Sequence, residues 1–156
     1  MSTSATSPTA TADTATPGVI VRGSANAFLQ EVTAGKHTFR VDEPVSAGGT
    51  ESAPDPYDYL LASLGACTSM TVGWYARRNK ISLQNVVVAL RHSRIHAQDC
   101  AECDARAGML DRIDLDIQLT GPITPEQHTK LMEVAAKCPV HRTLKSEIDI
   151  RLRASP

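Results

Sequence analysis

Between Tyr59 and Ala76 eighteen consecutive residues carry no charge, and no other stretch constrains the fold as strongly. Just before it, Asp55 is a good N-cap and Pro56 fits the first helical position, where its missing N–H costs nothing. Asp58 completes an approximate capping box. Leu60, Leu64, Cys67, Thr71 and Trp74 recur at helical spacing, with Leu61 and Met70 widening the stripe. The length approaches the roughly 20 apolar residues of a membrane span. Ser63, Gly65, Thr68, Ser69, Thr71 and Gly73 break up that apolarity. The pattern predicts a helix buried on most sides, inside a domain or a dimer.

On either side of this helix the periodicity is that of strands. "VIVRGSA", "FLQEV" and "HTFRVD" read as a meander punctuated by Gly23 and "TAGK", and "EPVSAGGTESAP" as a loop. "LQNVVVALRHSRI" reads as a strand with a buried start. In "GMLDRIDLDIQLTG", Ile113, Leu115, Ile117 and Leu119 alternate with Arg112, Asp114, Asp116 and Gln118, so one side packs and the other meets water. Thr124 opens a second helix through the capping box "TPEQ", with Leu131, Val134, Ala135 and Cys138 on one face until Pro139 disturbs it. "EIDIRLR" closes the chain as another alternating strand. The class is α+β: antiparallel strands with two principal helices, each carrying a cysteine on its apolar face.

Residues 1–17, "MSTSATSPTATADTATP", form a Ser/Thr/Ala/Pro tract, expected to be a disordered tail before a single domain at 18–156. The tract has neither the apolar centre of a secretory signal nor the arginines of a transit peptide, so a cytoplasmic protein is expected. In a reducing compartment four structural half-cystines are disfavoured. A net charge of −1 gives no electrostatic case for nucleic acid or an anionic membrane, and 4% aromatic residues offer little stacking surface.

The four cysteines fall into two pairs. Cys100 and Cys103 lie in "HSRIHAQDCAEC", which looks at first like a zinc site. On an extended strand, however, His92 and His96 stand roughly 13 Å apart, too far to share one ion. Two thiolates alone make half a site. "DCAECDARAG" is a polar, glycine-ended loop without the helix start that stabilises a redox C-x-x-C thiolate. No metal is expected there. Cys67 and Cys138 sit on the two helices. Burial disfavours a thiolate, so a reactive Cys67 needs a cation from elsewhere, its own helix having none before Arg77. Each cysteine alone reads as readily as a small buried hydrophobe. Facing helices would bring the two within bonding reach.

"PDPYDYLLASLGACTSMTVGWYARR" and, much later, "AAKCPVHRTL" resemble the OsmC/Ohr family of thiol peroxidases, and "LRHSRIHAQDCAEC" resembles a stretch of one of its branches. The resemblance implies an intertwined homodimer with two central helices and active sites at the subunit interface, and no cofactor. It implies that Cys67 attacks an organic hydroperoxide, that Cys138 resolves the sulfenic acid as a disulfide, and that a dithiol reductant (a lipoyl protein or a thioredoxin-like one) reopens it. The family's hydroperoxide branch has Asn-Pro-Glu where this chain has Asp55-Pro56-Tyr57, so Asp58 is the acidic residue at hand, alongside its reading as a helix-capping carboxylate. For the family's activating arginine Arg22 is the best match and Arg40 the alternative, each also readable as a solvated strand residue. His141 is placed to tune Cys138 or to sit on the surface. Two rival readings stand beside this one: a non-enzymatic member of the fold binding a small apolar molecule at the dimer interface, and a zinc or redox-sensing protein built on Cys100 and Cys103.

If the loop cysteines are bystanders, the double variant Cys100→Ser, Cys103→Ser keeps its fold and its hydroperoxide consumption. The purified wild type then carries no stoichiometric zinc by elemental analysis. Equimolar metal together with unfolding on chelation would move the chemistry to that loop.

Overall fold

The computed structural model describes residues 18–100 and 107–154. The expected tail at 1–17, and Cys103, lie outside them. The chain forms two compact units, Met1–Asp55 and Pro56–Pro156. In the first, β1 (Val19–Gly23), β2 (Gln30–Ala34) and β3 (His37–Val41) make the expected antiparallel meander in that order. Gly35, at φ +57°, opens the two-residue turn between β2 and β3, a conformation that glycine adopts without steric cost. The register places Val21, Val32 and Phe39 on one rung and Arg22, Glu31 and Arg40 on the next. Successive rungs point to opposite faces, so both candidate arginines flank Glu31 on the face away from buried Val32.

Asp42 organises the loop that follows. Its buried carboxylate accepts hydrogen bonds from the backbone N–H groups of Glu43, Thr50 and Ser52 and from the hydroxyls of Thr50 and Ser52, at 2.6–3.2 Å. The Thr50 hydroxyl, followed by the Ser52 N–H, holds this carboxyl well below its ordinary value against the opposing effect of burial.

In the second unit, α1 (Pro56–Arg78) begins at the predicted proline, and β4 (Asn85–His96) pairs with β5 (Met109–Thr120) over twelve rungs. α2 (Pro125–Ala135) starts from the expected capping box: Gln127 N–H donates to Thr124 Oγ1 and Thr124 N–H to Gln127 Oε1. A six-residue α3 (Pro139–Leu144) follows. The core is Val72 and Ala76 of α1 against Leu131 and Ala135 of α2, flanked by Val86, Ile117 and Leu119 of the sheet. No helix among the described residues is long and apolar enough to cross a membrane.

Three expectations change in detail. The buried stripe of α1 is Leu64, Thr68, Val72 and Ala76, with Gly65 beside it, whereas Met70 and Trp74 are 71% and 54% exposed. Small residues select the contact side because they allow close approach: a Cβ on Gly65 would stand 2.7 Å from Leu90 Cδ1 of β4. Second, Cys138 lies beyond α2, as the N-cap of α3. Proline disfavours helical backbone in the residue before it, and Cys138 is extended at φ −61°, ψ 146°. Third, residues 147–153 form no strand, for no ladder partner pairs with them among the described residues. Ile148, Ile150 and Leu152 are all exposed.

Replacing Asp42 by Asn should speed amide exchange at Thr50 and Ser52 at neutral pH. Because the folded carboxyl titrates below its ordinary 3.8, its stabilising contribution is complete above that value and fades as pH falls through the lower folded one. The difference between wild type and variant therefore shrinks on acidification. A constant difference from neutral pH to about pH 3 would refute this.

Candidate active site

α1 carries Cys67 in its middle, where residues three and four apart share a face. Ser63, Ala66, Met70, Thr71 and Trp74 therefore line one open, largely apolar groove of about 510 Å³ with Cys67, and Pro139 closes it from the start of α3. Cys67 is a half-buried free thiol. Its carbonyl accepts a hydrogen bond from Thr71 Oγ1 at 2.7 Å, which directs that hydroxyl back along the helix. The Arg78 guanidinium lies 5.5 Å from the ring centroid of Trp74.

Cys138 is also a free thiol, fully buried. Its Sγ accepts the backbone N–H of His141 at 3.3 Å and lies 3.4 Å from Thr68 Oγ1. Thr68 is the neighbour of Cys67, and Pro139, which lines the Cys67 groove, is the neighbour of Cys138. The two cysteine-bearing segments thus meet at one junction, by way of α1 and the turn before α3. Sequence periodicity missed Thr68, a polar residue at a fully buried position. Its place at i+4 from Leu64 and i−4 from Val72 was the available signal.

A second cluster sits by the first turn of α1. The His92 ring stacks on Tyr57, with centroids 4.5 Å apart and planes 15° from parallel, and its Nε2 lies 3.0 Å from Asp111 Oδ1. His92 is thus occupied by a tyrosine and a carboxylate, and β4 continues unbroken to His96, opposite Met109. The two histidines stand on separate rungs, as the extended spacing implies. Cys100 is disulfide-bonded, in a bond that involves neither Cys67 nor Cys138. Asp58 lies in the first turn of α1, where a carboxylate is favoured by the helix dipole. Arg22 and Arg40 belong to the first unit, as described above. His141 is half-buried, and its backbone N–H reaches Cys138.

A family model, described as OsmC-like protein, matches residues 49–153. This chain belongs to the OsmC-like family. No curated protein sequence matches it. Among solved structures it is similar to an OsmC-like protein from Mycoplasma pneumoniae (18% identity over 81% of this chain and 85% of that one, TM-score 0.63). It is also similar to the organic hydroperoxide resistance protein OsmC from Legionella pneumophila (21% identity, 84% and 90%, TM-score 0.61). An organic hydroperoxide resistance protein from Elizabethkingia anophelis is a third (20% identity, 89% and 94%, TM-score 0.63). At these identities the likeness establishes the fold. The OsmC-like match includes both free cysteines and excludes β1–β3, so the candidate arginines lie outside the matched stretch.

Proposed function

We propose that this OsmC-like protein is a cysteine peroxidase for organic hydroperoxides. One observation carries the reading: a half-exposed free thiol, Cys67, in an apolar groove, with a second free thiol buried behind the adjacent residue. The Cys67 thiolate attacks the outer oxygen of the hydroperoxide, the O–O bond breaks, and the alcohol leaves after taking up a proton. Cys138 then attacks the Cys67 sulfenic acid; an S–S bond forms and hydroxide leaves as water with the proton of the thiol. A dithiol reductant, a lipoyl or thioredoxin-like protein of the cytoplasm, reopens the disulfide. The groove's apolar lining suits an alkyl or lipid chain better than hydrogen peroxide.

In this reading Arg22 supplies the cation that a thiolate in such surroundings requires, with Arg40 the alternative, and Asp58 stands in for the family's glutamate. Both units belong to one OsmC-like domain, and the active protein is an intertwined homodimer. Met70 and Trp74 on α1, and Ile148, Ile150 and Leu152 near the C-terminus, expose apolar surface that a second copy would cover. The same groove also suits a non-enzymatic binder of small apolar molecules, a role that would not need either sulfur.

Cys67→Ser should abolish consumption of cumene hydroperoxide in a coupled lipoyl or thioredoxin assay. Cys138→Ser should allow about one turnover and then accumulate sulfenic or sulfinic acid, visible as mass increases on Cys67. Full turnover in both variants overturns the cysteine mechanism, whereas no turnover in the wild type leaves the binder.

Sedimentation should show a dimer at micromolar concentration that persists on dilution. A stable monomer would remove the intertwined architecture.

A further inference from the structure

The geometry points to Thr68 as the residue that prepares Cys138 for disulfide formation, an inference that rests on the cysteine pairing proposed above. Three observations support it. Thr68 is fully buried on α1, at a position where an aliphatic side chain would pack as well. Its Oγ1 lies 3.4 Å from Cys138 Sγ, and either atom can be the donor. Among the described residues the other polar group on that sulfur is the His141 N–H, at 3.3 Å, which can only donate.

These partners differ in what they offer the sulfur through the reaction. A thiol S–H needs an acceptor, and the Thr68 oxygen provides one. Once the proton has left, the hydroxyl can rotate and donate, so that the buried thiolate faces two donors, Thr68 O–H and His141 N–H. A backbone N–H cannot change role in this way. An uncompensated charge in an apolar interior is costly, so the attacking form of Cys138 depends on this hydroxyl more than its resting form does. Thr68 also follows Cys67 directly, which couples the position of the attacking sulfur to that of its target. Thr68→Val keeps the shape and removes both roles; Thr68→Ser keeps the hydroxyl.

The resolving step can be isolated from peroxide chemistry. In a Cys100→Ser, Cys103→Ser background, the half-exposed Cys67 is loaded with a nitrobenzoate disulfide reagent. The Cys138 thiolate then attacks Cys67 Sγ, the intramolecular S–S bond forms, and the bond to the reagent breaks with release of coloured thionitrobenzoate. Thr68→Val is expected to slow release about tenfold, the order of one hydrogen bond to a charged group. Thr68→Ser should stay within about twofold of wild type. Thr68→Ala, smaller and also without the hydroxyl, provides a second arm and should be slowed like valine. The initial loading of Cys67 should be the same in all, which separates a role at Cys138 from general loosening of α1.

Release from Thr68→Val and Thr68→Ala at the wild-type rate or faster overturns the assignment, as does a serine variant as slow as valine. Absence of release in the wild type, with Cys67 loaded, overturns it along with the cysteine pairing. Normal release in a wild type whose Cys67 is not oxidised by cumene hydroperoxide defeats the peroxidase reading alone and leaves the role of Thr68 standing.

Discussion

Pro139 has no N–H to donate, and its ring keeps the residue before it out of helical backbone. α2 therefore cannot run on through Cys138, and the chain restarts as α3 with that cysteine at its cap. Had the helix continued, Cys138 would project from a regular turn with its sulfur among aliphatic neighbours. The break instead leaves it extended, so that its sulfur meets the His141 N–H from one side and Thr68 from the other. The same proline supplies the wall that closes the Cys67 groove. One backbone constraint thus sets the surroundings of both thiols.

That arrangement needs α1 to lie close to its neighbours, and the small residues of its uncharged stretch provide the room. Gly65 lets the helix settle on Leu90 of β4, while Val72 and Ala76 meet Leu131 and Ala135 of α2. The larger apolar side chains, Met70 and Trp74, are left on the other side, where they line the groove. Packing and chemistry divide the helix between them: the tight face is built from what is small, and the open face from what is bulky.

This division explains what could and could not be read from the sequence. Strong alternation in Ile113–Leu119 and the box at Thr124 and Gln127 are local signals, and β5 and α2 formed where they predicted. The start of α1 at Pro56 was equally local. The side of α1 that packs was not, because hydrophobicity ranks Trp74 above Gly65 while close packing ranks them the other way. The place of Cys138 was half legible: the proline was visible, but the i, i+3, i+4, i+7 stripe from Leu131 suggested a helix reaching past it. "EIDIRLR" alternates well, yet a strand requires a ladder partner, which no period within the segment can supply.

The rung that holds Arg22, Glu31 and Arg40 bears on how a positive charge can be kept through sequence change. Two guanidinium-bearing residues stand two strand spacings apart, about 10 Å, on the same face and on either side of one carboxylate. Losing either arginine leaves the rung neutral, with the other still beside Glu31; only loss of both turns it negative. The face thus keeps one guanidinium after either single loss, although its net charge falls by one. Either outer strand, β1 or β3, can therefore carry the last guanidinium of that face, one strand spacing from the carboxylate on β2.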